Sequence, residues 1–296
     1  MQVEAAGVEM SALTLEKIVE ETSDLPALPE ATLAVMKESQ SSTSTAHSVA
    51  KYLEQDQALT ARVLRLANSA FYGMQRKICS PEEAVVVLGM RAVRNLAMIA
   101  STYHWMSKPL LGYGMEPGEF WQHSLGTAIA AQLIANTKSD SSADTAFTCG
   151  LLHDVGKLAL SSWLERRAVR MSTIAAKLAV PMEVAERRIL GFDHQEVGGL
   201  LVEKWNLPKA IVEVASYHHR PSECFPTSSL VDTVHLGDYV ASVSAIGHGG
   251  EGIQVSCDAE ALARIGADEQ DLEGWCAAFE GAYNQYEKLF DDKKAA

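Results

Sequence analysis

No run of apolar residues approaches the roughly 18–20 that a membrane-spanning helix needs. Stretches such as Ala84 to Gly89 and Leu200 to Val202 are soon interrupted by polar side chains. The opening residues Met1 to Ala6 lack both the basic segment and the apolar stretch of a secretory leader, so the expected setting is cytoplasmic, with no membrane association. The five cysteines, Cys79, Cys149, Cys224, Cys257 and Cys276, include no Cys-x-x-Cys pair. An odd number cannot all pair within one chain, so free thiols are expected rather than disulfides or thiolate zinc sites. Positive charge is also scarce. The 25 Lys and Arg against 38 Asp and Glu leave a formal net charge of -13, which argues against the phosphate neutralisation behind non-specific nucleic-acid binding. A small anionic ligand held by metal ions stays open, because a local cation outweighs the global field. Missing too is the alternation of apolar and polar residues that a half-buried strand requires.

What is present reads with helical period almost throughout, so the expected class is all-α. With 47% hydrophobic residues over 296 positions, the chain can bury a core large enough for one large or two modest domains. In Leu25-Pro26-Ala27-Leu28-Pro29-Glu30, Pro29 suits a first helical turn and Glu30 its positive end, predicting a helix to about Lys37. Ser80-Pro81-Glu82-Glu83 repeats that logic with Ser80 as the cap and Gly89 as the stop. Between them Gln57 to Ala70 reads as a helix ending near Gly73. The polar pair Asn68-Ser69, with Tyr72 and Gly73, marks a turn that either docks the two halves of the chain or meets a partner, the plain alternative being a capped helix end.

After the helical run Arg91 to Met106, the segment Ser107 to Gly118 concentrates Pro and Gly and is the best candidate boundary. This divides the chain into an extension at 1–24, a helical amino-terminal subdomain at 25–110 and a helical carboxy-terminal subdomain at 111–296. Further helices are expected near 116–137, 143–164, 166–179, 181–190, 195–205, 208–218, 228–246 and 269–289. Loops are expected at Ser139 to Ser142 and His248 to Gly252. No repeat suggests a solenoid.

The sharpest chemical signal is Leu151-Leu152-His153-Asp154-Val155-Gly156-Lys157, an adjacent imidazole and carboxylate inside an otherwise apolar helix. Burial of such a pair is costly unless they are bonded to each other or to metal. Other candidates lie on separate helices: His123 near one helix start, His194 after Asp193 at another, His218-His219 closing a third, and Asp238 inside the apolar stretch Val231 to Val243. Imidazole with carboxylate suits Fe, Mn, Zn or Ni, and a carboxylate can bridge two ions in a helical-bundle core. Each residue also has an ordinary reading. His153 and Asp154 could be a core hydrogen bond, His123 a helix-start residue, His194 a partner for Asp193 in a cap, and His218-His219 a solvated helix end. His47, His104 and His248 are left with ordinary readings, and His235, three residues before Asp238, is expected to support a site rather than join it.

The order His123, His153-Asp154, Asp238 resembles the pattern of the HD superfamily of metal-dependent phosphohydrolases. With His194 and His218-His219 added, it is similar to the HD-GYP branch, whose members hold two or three metal ions and hydrolyse cyclic dinucleotides. That resemblance implies one ion on His123, His153, Asp154 and Asp238, and a second on Asp154 as the bridge with His194, His218 and His219. It also implies a catalytic role for Asp154 and for Lys157, whose ammonium would meet a phosphate. Leu25 to Pro29, Asp56-Gln57-Ala58-Leu59, Leu66 to Gly73, Ser80 to Val85, Phe120 to Ser124 and Ala146 to Asp154 together resemble the HDOD (HD-related output) domain over roughly Leu25 to His219. That narrows the expected fold to a helical amino-terminal subdomain on an HD-type bundle.

One departure bears on activity. After His218-His219 the chain continues Arg220-Pro221-Ser222-Glu223-Cys224 where an HD-GYP protein would have an acidic residue and Gly-Tyr-Pro. The expected function is therefore a bacterial signal-transduction output or regulatory protein that acts on a protein partner and retains a dinuclear centre. Fe or Mn are the first expectation for the two transition-metal ions, with Zn or Ni as substitutes. The alternative is a metal-dependent phosphodiesterase or phosphohydrolase taking a nucleotide or phosphate ligand at the metals.

Overall fold

The computed structural model describes residues 15–21, 28–138, 143–166, 169–244 and 256–287. Leu25 to Ala27 of the first helix signal and the loops expected at Ser139 to Ser142 and His248 to Gly252, with His248, lie outside the described residues. Among the described residues there is no strand, only an isolated antiparallel bridge between Leu110 and Met115. No helix there is long and apolar enough to cross a membrane. The class is all-α, as the periodicity predicts.

The amino-terminal helices are α1 (Leu15–Glu21), α2 (Glu30–Glu38), α3 (Ala46–Leu53), α4 (Gln57–Ala67), α5 (Pro81–Leu88) and α6 (Met90–Met106). Helices α2 to α6 pack on one another around buried Val35, Leu53, Leu59, Val63 and Leu96. Local chemistry sets their ends. Ser80 Oγ accepts from Glu83 N–H at 3.1 Å, Pro81 opens α5, and Gly89 ends it at φ 86°. Helix α4 stops at Ala67, short of the expected Ala70, because Asn68 spends its side chain on backbone. Its amide donates to the carbonyls of Leu64 (2.7 Å) and Ile78 (2.8 Å) and accepts from Ile78 N–H (2.8 Å). This clamp closes the loop 69–77. From it Phe71 places its ring 5.1 Å from that of Tyr286 near the carboxy terminus, so the turn docks onto the second half of the chain. Asn68→Ala is expected to lower the free energy of unfolding by about 1–3 kcal/mol, since three hydrogen bonds go and the Ile78 backbone loses its partner; urea unfolding measures it.

The carboxy-terminal part comprises α7 (Glu119–Thr137), α8 (Ala143–Leu152), α9 (Gly156–Arg166), α10 (Met171–Leu178), α11 (Met182–Leu190), α12 (His194–Lys204) and α13 (Lys209–Tyr217). A 3-10 turn (Pro221–Glu223) leads to α14 (Ser229–Val243), α15 (Ala259–Arg264) and α16 (Glu269–Glu287). Helices α7, α8 and α14 pack side by side, α12 lies on α9 and α13, and α6 meets α7 and α8. Helix α1 reaches across to α9 and α12, burying Ile18. All five cysteines are free thiols.

The single helix expected over 143–164 is two. Helix α8 ends at Leu152, a turn spans His153 to Val155, and α9 begins at Gly156. The cause is contact with α12: a Cβ on Gly156 would overlap the His194 carbonyl and lie 2.7 Å from Gly198 N. So α9 and α12 meet backbone to backbone at Gly156. Helix α15, with Asp258 accepting from Glu260 N–H and Ala261 N–H, is a further helix between those expected near 228–246 and 269–289.

Candidate metal centre

Five elements deliver the candidate side chains to one place. His123 comes from α7, His153 and Asp154 from the turn between α8 and α9, and His194 from the first residue of α12. His218 and His219 follow α13, and Asp238 sits within α14. Asp154 lies at the middle, with its two oxygens facing opposite sides. Oδ2 is 3.4 Å from His123 Nε2 and 3.3 Å from His153 Nε2. Oδ1 is 3.1 Å from His194 Nε2 and 3.4 Å from His218 Nε2. Asp238 closes the first side, with Oδ1 3.2 Å from His123 Nε2, while its Oδ2 is 3.7 Å from His219 Nδ1. Two groups result, His123, His153 and Asp238 on one side and Asp154, His194, His218 and His219 on the other. Within each, one donor atom per residue lies within 4.8 Å of the rest. Such buried groups could hold metal ions.

The outer edge of each central imidazole is already bonded. His153 Nδ1–H donates to the Gly150 carbonyl (2.7 Å), His194 Nδ1–H to Glu186 Oε2 (2.7 Å) and His218 Nδ1–H to the Val214 carbonyl (3.1 Å). Carbonyls and carboxylates only accept, which assigns these protons. Each Nε2 is thereby turned inward to Asp154, where it can take a proton or a cation. His153 Nε2 and Asp154 Oδ1 are buried without a hydrogen-bond partner. A bound ion is one of the few things that satisfies such atoms, and nitrogen and oxygen donors without sulfur suit Fe, Mn, Zn or Ni.

The electrostatics follow from the same packing. Burial opposes charge on His123, but Asp154 and Asp238 outweigh it and lift the imidazole to about 9. Burial opposes charge on His194 too, and Glu186 chiefly reverses this, to about 10. His218 goes the other way, pushed down to about 4 by burial, and burial beside His218 takes His219 well below its usual range. Asp154, though buried, is held well below the carboxylate range by His153 and Lys157, and Asp238 by its bond to His123. Ionised carboxylates beside imidazoles that give up or lack a proton are the donor set a divalent cation takes. Lys157 Nζ rests 2.6 Å from Asp154 Oδ2 at the edge of the cluster.

Two residues that sequence reasoning missed complete the surroundings. Glu186, fully buried on α11, accepts from His194 N–H (2.8 Å) and Nδ1–H on Oε2 and from Tyr113 O–H (2.6 Å) on Oε1. A signal existed. Glu186 shares the buried face of α11 with Met182, Ala185 and Leu190, and an acid on the apolar stripe of an amphipathic helix needs an internal partner. Gln195 holds the other end, accepting from His219 N–H at 2.9 Å. Asp193 caps α12 through Gln195 N–H and Glu196 N–H, while the His194 ring faces inward, so the capping alternative describes Asp193 and not His194. His218 is fully buried rather than a solvated helix end. His235 stands behind the cluster, its Nδ1–H donating to the His218 carbonyl at 2.7 Å and its Nε2 accepting from Asp258 N–H. His47 is exposed beside Glu82, and His104 is exposed away from the cluster.

Known proteins resemble the chain in sequence and in fold. An uncharacterized Treponema pallidum protein is 27% identical over 220 residues, 72% of this chain and 42% of that protein, so the chain spans about two fifths of that relative's length. A crystal structure from Shewanella amazonensis, of a protein provisionally named a phosphohydrolase, is 27% identical with a TM-score of 0.68, over 95% of this chain and 98% of that one. An HDOD domain protein of unknown function from Geobacter sulfurreducens is 25% identical with a TM-score of 0.69, over 94% of each chain. Residues 25–221 match the model of the HDOD domain. With two thirds of its length covered by that match, the chain belongs to the HDOD domain family.

Proposed function

We propose that the chain is a signalling output protein whose carboxy-terminal helices are tied together by a dinuclear transition-metal centre. Its amino-terminal helices, residues 25–110, then carry the contact with a protein partner, and residues 111–296 carry the metals. One ion would be held by His123, His153, Asp154 and Asp238, the second by Asp154, His194, His218 and His219, with Fe or Mn the first expectation and Zn or Ni the alternatives. The observation that carries this is the inward Nε2 atoms of His153, His194 and His218, each fixed by a bond on its outer nitrogen, around the two faces of Asp154. Bound there, the ions would neutralise the carboxylates and cross-link five elements, adding metal-binding free energy to folding.

A structural or sensory centre is favoured over a catalytic one by its enclosure. Six of the seven side chains are buried and His219 is only 20% exposed, which leaves little surface for a dinucleotide. The second reading, a metal-dependent phosphohydrolase, draws on Lys157, whose side chain is 14% exposed at the edge and whose ammonium would stabilise charge on phosphate oxygens. The likeness to the Shewanella protein points the same way.

Metal analysis of protein purified without chelator or affinity tag should find two ions per chain. Metal-replete protein should turn over neither cyclic nor linear dinucleotides nor nucleotide phosphates. Lys157→Ala should keep both ions and melt within about 3 °C of the wild type, since the ions then balance Asp154 in place of the ammonium. Robust turnover that is lost in Asp154→Ala and depressed in Lys157→Ala, with metal retained in the latter, selects the enzyme.

A further inference from the structure

The segment between α6 and α7 is a closed loop. Gly118 N–H donates to the Ser107 carbonyl at 2.9 Å, and Leu110 and Met115 pair across it. The loop is seated on α9 and the start of α10. Gly112 N–H donates to Ser161 Oγ at 3.1 Å, and the Gly112 carbonyl accepts from Met171 N–H at 2.7 Å. The approach is so close that a Cβ on Gly112 would come within 2.9 Å of the Ser161 backbone. From this loop the buried Tyr113 hydroxyl donates to Glu186 Oε1 at 2.6 Å, Glu186 Oε2 takes His194 Nδ1–H at 2.7 Å, and His194 Nε2 lies 3.1 Å from Asp154 Oδ1. An unbroken row of polar contacts thus runs from the junction of the amino-terminal helices to the centre of the cluster.

We propose that Glu186 is a positioning residue for His194, and that Tyr113 couples the metal affinity of the His194 side of the centre to the seating of the loop 107–118. This rests on the dinuclear reading above and adds a route by which the centre and the amino-terminal helices sense each other. A carboxylate behind a ligating imidazole fixes the ring and raises its basicity. Glu186 does both here, because its Oε2 also takes the His194 backbone N–H and so sets ring and helix start together. The Tyr113 hydroxyl holds the other oxygen and with it the carboxylate plane. Coupling of this kind is reciprocal: a loop that strengthens metal binding is itself steadied by the metal. The side formed by His123, His153 and Asp238 has no bond to Glu186, so it serves as an internal control.

The test is calorimetric titration of Mn2+ into the full-length, chelator-stripped chain, with hydrogen exchange read at residues 107–118. Wild-type protein is expected to show two sites and slower exchange in the loop when Mn2+ is bound. Glu186→Gln, which keeps the volume and removes the charge, should weaken one site roughly 10–100-fold and leave the other in place. Tyr113→Phe should weaken the same site about 3–10-fold and abolish the metal-dependent protection of the loop. A purely structural role would lower the melting temperature of both variants while leaving the ratio of the two affinities unchanged, and that result overturns the proposal. So does Mn2+ binding at two sites without any change in loop exchange. A wild-type chain that takes up neither Mn2+ nor Fe2+, Zn2+ or Ni2+ overturns the dinuclear reading itself, a distinct result. If Glu186→Gln fails to fold, Tyr113→Phe carries the comparison alone.

Discussion

Asp154→Ala is expected to leave the purified chain with neither metal ion and to lower its melting temperature more than substitution of any other candidate ligand. The reason is geometric. Asp154 puts an oxygen within 3.4 Å of two imidazoles on each side of the cluster, Oδ2 toward His123 and His153 and Oδ1 toward His194 and His218, whereas Asp238 comes no nearer than 3.7 Å to the second side, at His219. In the proposed assignment the other six each serve one ion, so His219→Ala, at the most exposed position, should cost one ion and spare the other. An ion present at a thousand times its Kd stabilises the folded state by about 4 kcal/mol, and Asp154→Ala forfeits that stabilisation on both sides. It also leaves the Lys157 ammonium, now 2.6 Å from a carboxylate, beside an uncharged methyl group. Elemental analysis and thermal unfolding with and without chelator check this. Wild-type protein in chelator should fall toward the melting temperature of the variant, and a variant that keeps two ions would refute the bridging role.

Gly156→Ala should be the most damaging substitution that removes no ligand, with a loss of about 3 kcal/mol or more. A methyl group there meets the His194 carbonyl and Gly198 N, which are backbone and not the ends of flexible side chains, so relief requires α9 and α12 to separate, and overpacking of that kind has no cheap rearrangement. Separation also moves His194 from Asp154, so the His194 side should lose its ion first. Gly274→Ala is the matched control. Gly274 lies within α16 with nothing within 4 Å of its added Cβ, and removing a helical glycine should stabilise by roughly 0.5–1 kcal/mol. Opposite signs for the same chemical change, measured by urea unfolding, are the expected outcome.

Much of this was legible in advance where the determinant is local. Ser80-Pro81-Glu82-Glu83 carries a cap, a proline and two acids in consecutive positions, and α5 starts where they place it. The His153-Asp154 pair and Asp238 stand out because a titratable group in an apolar helix needs a partner, whereas His218-His219 also fits a solvated helix end. The break at His153 was not legible, because the turn is as buried as the helices that flank it and periodicity registers burial, not direction. Glu186 lies beside Glu183 and Arg187 in a charged stretch, and only its position on the buried face of α11 sets it apart. Helix α15 is six residues long, too short for a period to show.

The amino-acid sequence by itself determined the all-helical class, the capped start of α5 and the seven residues worth watching, since each depends on neighbours within a turn or two. Only the tertiary structure decided that the two oxygens of Asp154 face different sets of imidazoles and that Tyr113 reaches Glu186 across 73 residues of chain. The place of His194 beside Asp154 depends on the angle at which α9 crosses α12 and on how closely their backbones meet at Gly156. A crossing angle belongs to two packed surfaces together, and no stretch of either helix encodes it alone.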